Sequence, residues 1–249
     1  MQTTFAFGNG ALQNIFTGYY APVVGRFVNA DAVSNVKIDV LEVNLYVYCM
    51  NNVIIMIDRD GYAPEYIDDQ DDNYIIDGER MADISFGLSN IADKGCGVIA
   101  AYNVLLSQSS IITFKRVRTE LINYGGYVLG FGYWGINPKS LVLYMRSKFK
   151  HIYKAGPITF FWKRKAKKSE AIIILLKWKG SDMLHYIAGI ESGDSGIKGW
   201  FKFYNTLMSD EDDKSIDGRL MSFGEFMKYL TNKAIPLYFI GVRDKKCRW

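Results

Sequence analysis

Histidine and cysteine are scarce in this chain. Its 249 residues include two histidines and three cysteines. Cys49, Cys96 and Cys247 lie far apart, and none belongs to a C-x-x-C pair. With only His151 and His185 beside them, a zinc site is not supported, and no cofactor is expected. An odd number of widely spaced cysteines gives no disulfide framework either, so at least one thiol is free. Long apolar runs are also missing. The longest, Ala171 to Leu176, is far too short to cross a bilayer. The start, Met1-Gln2-Thr3-Thr4-Phe5, has no basic stretch followed by an apolar one, so no signal peptide is visible. The expectation is a soluble protein, or the soluble end of a longer one. A strong charge of one sign is absent as well. The net charge of +4 does not by itself indicate nucleic-acid binding, which shows as a concentrated basic face.

What the chain does have is material for a core. Hydrophobic residues make up 49% and charged residues 22%, an ordinary globular balance that suits one large domain or two small ones. The first 64 residues are rich in Gly, Asn, Tyr and Val, with turn signals at Gly8-Asn9-Gly10, Ala21-Pro22 and Asp60-Gly61, and read as short β segments. Within them, residues 17–31 (TGYYAPVVGRFVNAD), 44–52 (NLYVYCMNN) and 58–61 (DRDG) resemble the terminal core of RHS-repeat proteins. Ala21 stands where an aspartate is usual, Arg59 where a proline is, and Ile54-Ile55-Met56 departs from the pattern. The resemblance covers about a quarter of the chain and implies that a variable toxin begins where the core ends. This chain is too short for the family's β-shell, so it resembles an orphan cassette or a cut-out of a longer protein.

Residues 65–84 read as a linker. Asp68-Asp69-Gln70-Asp71-Asp72 gathers like charges that repel and favour an extended, solvated segment. An acidic metal loop is the sharper alternative, but the glycine and terminal glutamate of a calcium loop are missing. From Ser85 the pattern changes. Cys96 to Leu106 reads as a helix with Ile99, Ala100 and Asn103 on one face, and Phe114 to Tyr124 as a second helix stopped by Gly125-Gly126. Asn137-Pro138 opens a third, running to about Lys150. Ala171 to Trp178, Leu184 to Glu191, Lys198 to Tyr204 and Ile235 to Val242 are strand candidates, and Ser222-Phe223-Gly224-Glu225 is a capping box before a short helix. Helices first and a mostly antiparallel sheet afterwards is an α+β arrangement over residues 85–249.

The order Cys96 at a helix start, then His185, then Asn205, is what a nucleophilic cysteine enzyme needs. A helix N-terminus stabilises a thiolate, an imidazole takes the thiol proton, and a third group orients the ring. Residues 90–97 (NIADKGCG) resemble the start of papain-like cysteine peptidases, especially the bacterial bacteriocin-processing type. Met183 to Ile190 looks like that family's histidine-bearing strand, and Gly199 to Asn205 like the strand carrying the orienting residue. The resemblance spans about Asn90 to Thr206 and implies a papain-like cysteine hydrolase fold. It also places Asn90, six residues before the nucleophile, at the offset of an oxyanion-stabilising amide, where glutamine is usual.

Each assignment has a plainer counterpart. A lone cysteine on a helix is more often core, but Gly95 and Gly97 flank Cys96 and are expected to leave room for a substrate backbone. His185 alone could be a buried structural residue, and Asn205 alone a strand-end turn former. His151 is expected at a helix end, interacting with the dipole. Lys163 to Lys168 is expected as a solvated hairpin tip, with an acidic partner or nucleic acid as the sharper option. Asp210 to Lys214 reads as a mobile acidic loop.

The resulting expectation is an RHS-associated toxin, secreted or delivered into target cells, whose thiol hydrolase cleaves peptide bonds through a Cys96 thioester. Its expected partners are a protein substrate and a cognate neutralising (immunity) protein, with no nucleic acid favoured. The alternatives are a glutamine deamidase or transglutaminase using the same thioester, a non-catalytic binding module on the same fold, and a toxin acting on nucleic acid through the basic run.

Overall fold

In the computed structural model of the chain, the apolar run Ala171–Leu176 is buried throughout because the sheet containing it is covered on both faces. The structure describes residues 66–108, 112–128, 135–192, 198–209 and 215–245, together with four strands in the first 65. Two units are distinguished, Met1–Glu65 and Tyr66–Trp249.

In the first unit, β1 (Thr4–Phe7), β2 (Gly10–Ile15), β3 (Gly18–Ala21) and β4 (Arg26–Phe27) form an antiparallel meander in that order. The RHS-like motif 17–31 overlaps β3 and β4, whereas 44–52 and 58–61 lie outside the described residues. Cys49 and Cys247 also lie outside them.

The second unit opens with two small hairpins, β5 (Ile75–Ile76) with β6 (Glu79–Arg80) and β7 (Ser85–Phe86) with β8 (Ser89–Asn90). Four helices follow: α1 (Ile91–Lys94), α2 (Cys96–Leu106), α3 (Phe114–Asn123) and α4 (Pro138–Lys148). Next come β9 (Phe149–Ala155), α5 (Trp162–Ala166), β10 (Ala171–Trp178), β11 (Leu184–Glu191), β12 (Trp200–Tyr204), β13 (Leu220–Ser222), α6 (Phe223–Lys233) and β14 (Ala234–Lys245). The large sheet has the order β13-β12-β11-β10-β14-β9, and every neighbouring pair is antiparallel. Alternation along its strands splits the core in two. Ile173, Leu175, Tyr186 and Ala188 pack with α2, α3 and α4, while Ile172, Ile174, Leu176 and Ile187 pack with α5 and α6. Pro236, which has no N–H to give, sits where the β10–β14 register shifts.

Local chemistry sets the helix starts. Thr113 Oγ1 accepts from the Arg116 N–H, Asn137 Oδ1 from Lys139 ahead of Pro138, and Ser222 Oγ from Glu225.

Three expectations are corrected. Residues 66–84 are not a free linker, because Ile67, Ile76, Met81 and Ile84 are buried in the core beside α2. Those four side chains turn inward while Asp69, Asp71 and Asp72 stay exposed, so the charge cluster marks one face of a packed segment. The basic run is a helix rather than a hairpin tip. Trp162 and Ala166, four residues apart, are buried on one face of α5 and leave Lys163 and Arg164 outside. His151 lies on β9, not at a helix end, with its Nδ1 3.0 Å from Asp244 on β14.

This packing moves the expected domain start. Losing four buried side chains at about 1.5–3 kcal/mol each would remove most of an ordinary domain's 5–15 kcal/mol. A chain beginning at Tyr66 should unfold in one cooperative urea transition, and one beginning at Ser85 should show none.

Candidate active site

Cys96 is the first residue of α2, and Gly95 before it supplies no side-chain cap. The first N–H groups of that helix start, which have no partner within the helix, therefore lie beside the thiol. The sulfur meets the backbone N–H groups of Gly97, of Cys96 itself and of Tyr186 on β11. Only 8% of Cys96 is exposed. Burial pushes its pKa up, and the three N–H groups and the Lys94 charge oppose that rise without reversing it. The resting group is a neutral thiol.

The flanking glycines do not make room for a substrate, as the sequence suggested. A Cβ on Gly95 would lie 2.5 Å from the Ile91 carbonyl oxygen, and one on Gly97 would lie 2.6 Å from Ile136 Cβ. Both glycines let the protein's own chain approach the helix start. Ile136 is tied in by the Tyr186 hydroxyl, which donates to its carbonyl at 3.1 Å.

His185 lies near the start of β11, directly before Tyr186, and is buried. Its Nε2 is 2.6 Å from the Asn205 carbonyl oxygen. A carbonyl only accepts, so Nε2 carries the proton and Nδ1 keeps the free lone pair of a base. Burial pushes the imidazole down to about 4, partly offset by the Asn205 carbonyl. The ring lies beside Trp178 at 6.3 Å between centroids. Among the described residues, no hydrogen bond joins Cys96 Sγ to the imidazole. The backbone N–H of Tyr186, the residue after His185, is the group of this strand that favours the thiolate.

Asn205 follows β12 in a left-handed conformation, φ 55°, which asparagine tolerates better than most residues. That turn aims its main-chain carbonyl at the ring, so Asn205 contacts His185 through its backbone rather than its side chain. Its Oδ1 is buried without a partner, and its Nδ2 donates to Gln70 Oε1 at 3.4 Å. The next residue, Thr206, is fixed by Asp217, whose carboxylate accepts from the Thr206 N–H at 2.8 Å and from its hydroxyl at 2.7 Å.

Asn90 caps α1. Its Oδ1 accepts from the Asp93 N–H at 2.8 Å, so one end of the side chain is committed to the helix that precedes the thiol. Sequence reasoning missed Gln70. Its Nε2 donates to the carbonyls of Ile91 at 2.9 Å and Ala92 at 2.6 Å, while its Oε1 accepts from Asn205. One side chain thus joins the helix leading into Cys96 to the residue that holds His185. The available signal was a lone amide among four aspartates. Asp217 was marked only by the turn dipeptide Asp217-Gly218.

Neither a protein-family model nor a curated protein matches the sequence. Among solved structures, the peptidase domain of Streptococcus ComA, a bi-functional ABC transporter involved in a quorum-sensing pathway, is similar. It shares 16% identity over 61% of this chain and 93% of that domain, with a TM-score of 0.35. The likeness is distant.

Two outcomes follow. Gln70→Ala removes a donor to the Ile91 and Ala92 carbonyls and the acceptor of the Asn205 amide, while Ile91 keeps the Gly95 N–H, and should cost about 1–3 kcal/mol in urea denaturation. The unfolded chain, with His185 near its ordinary 6.5, binds a proton that the folded chain refuses until about pH 4. The stability this group contributes is therefore complete above pH 6.5 and declines toward pH 4, by about 3 kcal/mol. Denaturation of His185→Gln across that range should show a flatter pH dependence than the parent.

Proposed function

We propose that Tyr66–Trp249 is a thiol hydrolase of the cysteine peptidase type, with Cys96 as nucleophile, His185 as base and Asn205 as the group that orients the ring. The observation that carries this reading is the pairing at β11. The thiol at the start of α2 meets the Tyr186 N–H, and the neighbouring His185 has Nε2 tied to Asn205, which leaves Nδ1 basic. The α+β arrangement and the papain-like motifs from Asn90 to Thr206 agree with it.

In the reaction, the Cys96 proton passes to His185 Nδ1 as Sγ forms a bond to the substrate carbonyl carbon. The negative charge moves to the carbonyl oxygen, close to the N–H groups at the helix start. As the C–N bond breaks, the imidazolium returns its proton to the departing amine. Water then attacks the thioester, giving its proton to His185 and releasing the acid and the thiol. A substrate glutamine side chain would pass through the same thioester, which keeps deamidation as the alternative chemistry. The RHS-like motifs of the first unit support a role as a toxin delivered to a target cell, with a protein substrate and an immunity partner.

A second reading, a non-catalytic module on the same fold, is favoured by the burial of Cys96 and by its lack of a direct bond to His185. Expression of the chain inside a bacterium separates the two. The hydrolase reading expects growth arrest that Cys96→Ser and His185→Ala abolish and Asn205→Ala weakens, while Cys49→Ser and Cys247→Ser leave it intact. Circular dichroism of each purified variant should show the parental fold. Full arrest by Cys96→Ser would remove thiol chemistry.

A further inference from the structure

Outside this site, the second unit displays apolar side chains where a monomer in water gains nothing from them. Ile158 is 70% exposed, Phe160 83% and Phe161 55%, on a 3-10 turn (Thr159–Phe161) and the residue before it. The next residue, Trp162, is fully buried in the core against Phe239, and its indole N–H donates to the Gly156 carbonyl at 2.8 Å. The apolar tip is therefore clamped at its base and held outward. Directly after it, α5 and the residues beyond carry Lys163, Arg164, Lys165, Lys167 and Lys168, all exposed except the half-buried Lys165. Lys165 reaches back to the Lys154 carbonyl on β9. Glu170, the next acid in the chain, is turned away toward β14, where it meets Arg243 and accepts from the Asp244 N–H. The cations consequently stand beside the apolar tip with no acid in the run.

We infer that this tip, Ile158 to Lys168, is a docking surface for an anionic lipid bilayer. Ile158, Phe160 and Phe161 enter the boundary between headgroups and acyl chains, and the four exposed cations, Lys163, Arg164, Lys167 and Lys168, lie along the phosphate layer. Apolar anchors combined with a polybasic patch are the two signals that hold a peripheral protein on such a surface. Charge complementarity alone would also suit nucleic acid. Phe160 and Phe161, however, pack edge to face at 85°, so the pair presents no parallel platform for stacked bases, and Ile158 has no base to stack on.

The test is flotation of the full chain, in the Cys96→Ser background, with vesicles of phosphatidylcholine alone or with about one third phosphatidylglycerol. The chain should float with the anionic vesicles at least about tenfold better than with the neutral ones, and raising the salt should weaken the association. Lys163→Glu with Arg164→Glu should remove it. Phe160→Ser with Phe161→Ser keeps every charge and replaces only exposed residues, and should still lose about tenfold. Absence of flotation with anionic vesicles overturns the inference. So does unchanged flotation of the double serine variant, which would reduce the effect to net charge. Binding to a single-stranded oligonucleotide that is tighter than to vesicles and depends on Phe160 overturns it in favour of nucleic acid.

Discussion

Helix α2 has no face for water, since each of its residues is buried. A helix that is apolar all round must be enclosed, and most of the second unit follows from enclosing this one. The sheet covers one side through β11 and β10, α3 and α4 cover another, and the segment from Tyr66 closes the rest. The single side-chain amide on the helix, Asn103, settles how that segment attaches. Buried polar groups must find partners, and Asn103 finds both in Ile67, accepting from its N–H at 2.9 Å and donating to its carbonyl at 2.8 Å. The contact is strand-like pairing between a side chain and a backbone. It anchors residues 66–70 against α2, and Tyr66 stacks on Tyr204 at the end of β12. Gln70 then arrives between α1 and Asn205 as a consequence of how α2 is covered.

The histidine side of the site depends on a different constraint. β12 ends at Tyr204, and the left-handed turn at Asn205 rotates a carbonyl back toward β11. The backbone strain of that turn is held by Asp217, which takes two hydrogen bonds from Thr206 and one from Ser215 at 2.9 Å. Burial pushes the pKa of this carboxyl up, and the bonds from Thr206 and Ser215 oppose that rise without reversing it. A chain of contacts thus runs from Asp217 through Thr206 and Asn205 to the His185 ring, and from Asn205 through Gln70 to the helix before Cys96.

The elements legible in the sequence were those with strong local signals. α2, β10 and β11 match their expected ranges because unbroken apolar stretches between turn residues leave little choice. The caps at Asn137 and Ser222 were equally readable. Residues 66–84 were not, because clustered aspartates dominate local composition while Ile67, Met81 and Ile84 carry the packing at irregular intervals. The basic run failed for a related reason: two buried residues, Trp162 and Ala166, turn a charged stretch into a helix. At the site, the sequence supplied residue types and their order but not which atoms meet. That Asn205 meets His185 through its carbonyl depends on one positive φ, and that Gly95 and Gly97 accommodate Ile91 and Ile136 depends on tertiary approach.

The electrostatics of the two principal groups point the same way. Burial raises the thiol and lowers the imidazole, so both groups rest uncharged. A thiolate–imidazolium pair formed in advance would place two ions where desolvation disfavours each of them. Under the hydrolase reading, proton transfer belongs with bond formation, when negative charge passes from sulfur to the substrate oxygen and the helix-start N–H groups can receive it. The covering that makes α2 stable also raises the pKa of its thiol. Under the hydrolase reading, a substrate must supply the carbonyl at the buried helix start before the sulfur gains nucleophilic character, which limits reaction with other acceptors.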